Sequence, residues 1–229
     1  MHMKKLLPAL IMLFLTGCNV RTLNPVSETG ADQAFLIKLS FGIMMFVVAV
    51  VCVLFIIFTV KYRENDLNRK DIPKHEEGSR VLEILWTTIP FVLLAILAVP
   101  TVMYTFQASN TEAGSEDTLH VDVIAEQWNW TFAYENGKET HKELVLPVDR
   151  EIVLHLKSTD VIHSFWVPRL IGKRDTIPGE ENELKVTPDQ TGTYQGKCAE
   201  FCGLGHTDMR FDTEVIPAEE FEEWLSEEK

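Results

Sequence analysis

Apolar residues fall in long blocks through the first half of the chain and in alternation through the second. From Leu39 to Val60 no side chain is charged over 22 residues, and a helix rising about 1.5 Å per residue crosses a roughly 30 Å hydrocarbon core in that length. A second uncharged run starts at Ile84 and stays apolar to about Phe106, with Pro90 and Pro100 inside it. Prolines in lipid are tolerated where neighbouring helices satisfy the freed backbone groups, so this span is expected to pack against protein. Beyond Gln107 the period shortens. Leu119, Val121 and Val123 alternate with His120 and Asp122, and Ile152, Leu154 and Leu156 alternate with Val153, His155 and Lys157, the signature of strands. Turn signals at Glu135–Gly137 and Pro178–Gly179 separate short runs, and no strand–helix alternation occurs, which predicts an all-β sandwich or barrel. Phe221, Trp224 and Leu225, at i, i+3 and i+4 after Pro217, predict a short amphipathic helix.

Charge orients this arrangement. Lys61, Arg63, Arg69, Lys70, Lys74 and Arg80 crowd the loop between the spans, whereas residues 105–137 hold no Lys or Arg. The loop 61–83 is therefore expected in the cytoplasm and both chain ends outside. Residues 1–18 read as a secretory signal: Lys4 and Lys5 precede an apolar Leu6–Leu15, and Leu15-Thr16-Gly17-Cys18 resembles a bacterial lipoprotein cleavage box, with Cys18 the lipidated residue. The expected organisation is a signal at 1–18, a two-helix transmembrane hairpin at 19–106 and a soluble domain at 107–229. That last segment has 11 Lys and Arg against 26 Asp and Glu, a balance of −15 against −13 for the whole chain. Such a field attracts a basic partner or keeps an exposed domain soluble, and no nucleic-acid partner is expected.

Chemistry concentrates in Cys198-Ala-Glu-Phe-Cys202-Gly-Leu-Gly-His206-Thr-Asp-Met209. Two thiols, an imidazole and a thioether form a soft donor set suited to copper or zinc. The thioether favours copper, because Met is a weak axial ligand at electron-transfer copper sites. A mononuclear blue site uses one cysteine; two cysteines in one loop are able to bridge two copper ions, given a second imidazole. His163, after an alternating strand, is the candidate. A Cys198–Cys202 disulfide would close a very short loop with little entropic gain and leave His206 and Met209 unexplained. Cys52 lies inside the first span, where a small apolar residue needs no further reason.

His163 followed by Cys-x3-Cys-x3-His-x2-Met resembles the binuclear copper A site of subunit II of haem-copper cytochrome c oxidases, and the similarity runs from the first span to about Ile216. The resemblance implies a membrane α-hairpin of two transmembrane helices carrying an all-β cupredoxin-like Greek-key barrel. It implies that Cys198 and Cys202 bridge two copper ions, with His163 and Met209 completing one and His206 with the Glu200 carbonyl the other. The Glu200 side chain matches the family's magnesium ligand at the interface with the catalytic subunit I. Trp128, in Gln127-Trp128-Asn129-Trp130, matches the exposed aromatic where cytochrome c docks, with Asn129 in place of the usual aromatic. By alternation alone, two Trp on one strand share a face, and Trp130 reads as core. Asp160 matches a position near the docking surface and Asp175 one at the subunit I interface; either is equally a turn residue. Glu83 matches the mouth of a proton path, or is a helix-start acid favoured by the macrodipole.

The function implied is a subunit that accepts electrons from cytochrome c and passes them to haem in subunit I, which reduces oxygen and pumps protons, at a bacterial cell membrane. The sequence shows no Cys-x-x-Cys-His, so the donor cytochrome is expected to be a separate protein. Alternatives are the copper A subunit of a related nitric oxide reductase and a membrane-anchored copper-binding protein. The equivalent quinol oxidase subunit shares the fold but lacks the copper ligands, all of which are present here.

Overall fold

A computed structural model describes residues 20–64, 75, 77–111, 114 and 117–227. The expected signal with Cys18, and Arg69, Lys70 and Lys74 of the loop, lie outside the described residues. Two compact units emerge, residues 32–113 and residues 1–31 with 114–229.

The first unit is a pair of helices, α1 (Glu28–Lys61) and α2 (Arg80–Ser109). Both are long and apolar enough to cross a membrane, and both overrun the charge-free runs, since polar ends extend a helix beyond the hydrocarbon. Ser79 caps α2, its hydroxyl accepting from the Leu82 N–H at 3.4 Å. The Thr101, Thr105 and Ser109 hydroxyls each donate to the carbonyl four residues back at 2.7 Å, so no hydroxyl among these is left unpaired in lipid. Phe35 and Tyr104 meet edge to face, 6.1 Å apart, across the two helices.

The second unit is a sandwich of two five-stranded sheets. The strands are β1 (Leu119–Glu126), β2 (Asn129–Tyr134), β3 (Glu139–His141), β4 (Glu143–Pro147), β5 (Ile152–Ser158), β6 (His163–Val167), β7 (Ile171–Thr176), β8 (Asn182–Val186), β9 (Gly192–Cys198) and β10 (Arg210–Ile216), followed by α3 (Ala218–Ser226). One sheet has the order β3-β2-β1-β5-β8 and the other β4-β10-β9-β6-β7. The β1–β5 and β4–β10 pairs are parallel and the rest antiparallel, which makes the cupredoxin-like Greek key that the resemblance implied. Alternation buries Val121, Val123 and Ala125 against Trp130, Phe165 and Phe211. Those three rings lie 5.0–5.7 Å apart, close enough to add to their burial energy. Gly196 sits opposite Phe211 in the β9–β10 pair, and a Cβ there would lie 2.1 Å from the Phe211 ring. The ring covers the glycine in place of a side chain.

Two features depart from the sequence pattern. Trp128 is not on a strand with Trp130 but in the turn between β1 and β2, so the two indoles do not share a face. Ahead of α1, Val26 is fully buried in the sandwich core; its N–H donates to the Arg169 carbonyl at 2.9 Å and its carbonyl accepts from Asp189 N–H at 3.0 Å. The Ser27 hydroxyl donates to the Leu170 carbonyl, and a Cβ on Gly30 would stand 2.7 Å from the Arg169 oxygen, so the segment fits only with glycine there. At the other end α3 buries Phe221 and lays Trp224 on Tyr134, with Lys138 Nζ 4.1 Å above the Trp224 ring.

Candidate metal centre

The predicted donors converge at one end of the sandwich. His163 opens β6 and is fully buried; Cys198 closes β9; Cys202 lies in the following loop; His206 begins a 3-10 turn (His206–Asp208); Met209 immediately precedes β10. Sheet pairing fixes both ends of the loop. Cys198 N–H donates to the Met209 carbonyl at 2.9 Å, and Ala199 N–H to the Ser164 carbonyl at 2.9 Å, so thiol, thioether and imidazole are held by three adjacent strands. Within the loop, His206 N–H and Asp208 N–H donate to the Gly203 and Gly205 carbonyls at 3.2 and 3.0 Å.

The donor atoms form a chain. His163 Nδ1 is 4.0 Å from Cys198 Sγ, the two Sγ atoms are 3.8 Å apart, and Cys202 Sγ lies 3.6 Å from His206 Nδ1 and 3.8 Å from Met209 Sδ. Both cysteines are free thiols. Two sulfurs separated by less than twice a metal–thiolate bond of about 2.3 Å are able to share an ion. The Glu200 carbonyl is 3.2 Å from Cys198 Sγ, while the rest of Glu200 faces solvent. Burial, and then the charge of Cys198, push the Cys202 thiol up to about 12. Two thiolates do not form so close together unaided, whereas bound cations would draw both protons off. The donor set therefore fits a copper A centre in type, spacing and charge.

Asp160, matched by resemblance to a position near a docking surface or read equally as a turn residue, lies in a bend. Its Oδ1 accepts from His163 Nε2 at 2.9 Å and from Val161 N–H at 2.6 Å, and its Oδ2 accepts from Gln127 N–H at 2.7 Å. Burial alone would raise its carboxyl, but the hydrogen bonds from His163, Val161 and Gln127 outweigh this and hold it below the usual range. A carboxylate on the far nitrogen leaves His163 Nδ1 as the lone pair facing the sulfurs. Asp-x-x-His is the only sequence signal that could have shown it.

Trp128 lies flat against the ligand loop. A Cβ on Gly205 would be 2.5 Å from the indole, and Gly203, at φ +115°, faces the same ring. Trp128 Nε1–H and Gln127 Nε2–H both donate to the Cys202 carbonyl, at 3.2 and 2.8 Å. The indole remains 37% exposed, touching solvent and the ligand backbone at once. Exposed Phe201 and Leu204 flank it on the loop. Asp175, on β7 opposite Ser164, is exposed and takes no part in the cluster. Glu83 lies in the first turn of α2, where its charge suits the helix N-terminus.

Fold and donors define a class: a membrane protein of two spans bearing a cupredoxin-like domain with a copper-type sulfur and imidazole cluster. Residues 27–104 match the family model for the cytochrome c oxidase subunit II transmembrane domain and residues 137–216 that for its periplasmic domain. The chain is 40% identical to cytochrome c oxidase subunit 2 of Bacillus subtilis strain 168, over 98% of this chain and 67% of that one. It is 34% identical to quinol oxidase subunit 2 of Bacillus cereus, over 97% of this chain and 78% of that one. Among solved structures, the periplasmic domain of subunit II of cytochrome oxidase (CoxB) of Bradyrhizobium japonicum is similar, with 33% identity, a TM-score of 0.45, and coverage of 47% of this chain and 90% of that one. The chain belongs to the cytochrome c oxidase subunit II family, and spans 65–67% of the length of two cytochrome c oxidase subunit 2 relatives. Its two helices cross the membrane and its C-terminal domain is extracytoplasmic.

Proposed function

We propose that the chain is the copper A subunit of a cytochrome c oxidase, taking electrons from cytochrome c and passing them to haem in subunit I, where oxygen is reduced with proton pumping. The carrying observation is the donor chain His163–Cys198–Cys202–His206/Met209. A similar quinol oxidase subunit favours a copper-free reading only where these donors are missing, and here all five side chains converge. When bound, two copper ions supply a single delocalised electron acceptor. Cys198 and Cys202 would hold the ions, with His163, Met209, His206 and the Glu200 carbonyl as the remaining ligands.

The chain's own residues do the rest. Asp160 keeps the His163 proton on Nε2, away from the metal side. Burial of His163, Cys198, Cys202 and Met209 keeps water from the donors, and strands clamp them in one geometry, limiting rearrangement on electron transfer. Trp128 receives the electron at the surface and delivers it along the Nε1–H···O=C bond to the Cys202 backbone. The excess of acid on residues 107–229 speeds encounter with a basic cytochrome and is screened by salt. Exposed Glu200 offers a carboxylate for magnesium, and Asp175 a polar contact, at the subunit I interface. Glu83 serves the mouth of a proton path, and Cys18 carries lipid at the outer face of a bacterial cell membrane.

The test is metal analysis and electron paramagnetic resonance of the purified full chain. Two copper ions with one electron shared between them are expected; a one-copper spectrum, zinc, or a Cys198–Cys202 disulfide would overturn the assignment. Purifying the complex and comparing oxygen with nitric oxide as substrate separates this reading from the reductase alternative.

A further inference from the structure

A second convergence of metal-binding side chains lies on the outer face of the β1–β5–β8 part of the sandwich. Strand alternation places His120 and Asp122 of β1, His155 and Lys157 of β5 and Glu183 of β8 on that face, away from the core. Register brings them together: His155 stands opposite Asp122 in the parallel pair and opposite Glu183 in the antiparallel pair, with Glu181 just ahead of β8. His155 Nδ1 is 2.9 Å from Glu181 Oε1 and 3.4 Å from Glu183 Oε1, and its Nε2 is 2.9 Å from His120 Nδ1.

Two imidazoles joined through nitrogen need one N–H and one lone pair. Two tautomers satisfy the pair. With His120 Nδ1–H donating, His155 Nδ1–H bonds the carboxylates directly, whereas with His155 Nε2–H donating to His120 the His155 Nδ1 lone pair faces the two carboxylate oxygens and is free to take a metal ion among them. Ligands bonded tetrahedrally at zinc-like distances of about 2.0–2.2 Å stand roughly 3.3–3.6 Å apart; the 3.4 Å contact matches that spacing and the 2.9 Å contact is a little shorter. Charge agrees. Asp122, Glu181 and Glu183 share this face with Lys157, whose Nζ lies 2.9 Å from Asp122 and 3.2 Å from Glu181 Oε2, leaving Glu181 Oε1 directed at His155.

We propose that His155, Glu181 and Glu183 bind one divalent ion of the zinc type, with His120 as a positioning residue that fixes the His155 tautomer. Two of the three ligands, His155 and Glu183, sit on paired strands, which suits a preformed ligand set. It is separate from the copper-type cluster and does not depend on the function proposed above.

The experiment uses the full chain in detergent with its copper centre loaded, dialysed against zinc, with bound metal counted at each free concentration. One zinc ion per chain, beyond the copper, is expected. His155→Ala should weaken it at least about a hundredfold and His120→Phe by about 10–100-fold, the usual loss when a ligand's hydrogen-bond partner is removed. The copper resonance should be unchanged in both variants. No zinc uptake by the unsubstituted chain, or wild-type affinity in His155→Ala, overturns the proposal and leaves a histidine–carboxylate hydrogen bond in its place. Zinc uptake that depends on His155, in a chain that fails to hold copper, would support this site while sinking the copper reading alone.

Discussion

Replacing Asp160 with Ala tests how the buried imidazole is held. Four hydrogen bonds to its carboxylate disappear: from His163 Nε2, Gln127 N–H and Val161 N–H, at 2.9, 2.7 and 2.6 Å, and a longer one from the Ser158 hydroxyl at 3.4 Å. The Asp160 side chain is 30% exposed and His163 is not exposed at all, so water reaches the two backbone donors more easily than the ring. The uncompensated loss is then one hydrogen bond to a charged group, about 1.5–3 kcal/mol. Applied to metal binding, that is about 10–100-fold in affinity, the range seen when the partner of a ligating histidine is removed. Asp160→Asn, which keeps an oxygen acceptor without its charge, should fall at the mild end. The assay is competition with a copper chelator, followed by visible absorption of the copper centre, alongside reduction kinetics. Copper affinity and spectrum unaltered in Asp160→Ala would refute the reasoning, since His163 would then need no orienting partner.

Further expectations follow from the same structure. Trp128→Ala should slow reduction by cytochrome c and leave the copper spectrum intact, and Gly205→Ala, whose Cβ would enter the indole, should do the same by displacing the ring; unchanged stopped-flow rates in both would remove Trp128 from the path. Gly196→Ala drives a methyl into Phe211 and should cost about 1–3 kcal/mol or more in denaturant unfolding, as overpacked cores do. Hydrogen bonds from Gly114 N–H and Thr118, with Lys185 nearby, hold Glu151 below its ordinary 4.5. A depressed carboxyl stabilises the fold above its ordinary pKa and loses that contribution as pH falls through the folded value. Glu151→Gln should therefore unfold more easily near neutrality and show a flatter loss of stability below about pH 4.5 than the unsubstituted chain, measured by thermal melts across pH.

Much of this architecture could be read in the residues because its causes are local. A charge-free run long enough for a bilayer, a period-two alternation at Leu119–Val123, and five soft donors at short spacing each carry their own physics. What could not be read depends on where the chain bends and on register between distant strands. Nothing in Asp-Val-Ile-His says that the Asp160 carboxylate turns onto His163 Nε2. Trp128 and Trp130 looked like neighbours on one strand because nothing in Gln-Trp-Asn-Trp marks the turn. Val26 gave no periodic signal at all, its burial being decided by the Arg169 and Asp189 backbone. Gly203 and Gly205 looked like ordinary loop glycines, although an indole 74 residues or more upstream occupies the space their side chains would need.

The backbone bond between Cys198 and Met209 separates scaffold from cargo. Because the two strands zip together at the loop's base, the ten residues between those ends hang from a finished edge, and the sandwich closes whether or not they grip anything. His206, in that span, is replaceable without touching the core, whereas Cys198, Cys202 and Met209 are buried in it, so their sulfurs answer to the packing as well as to the metal.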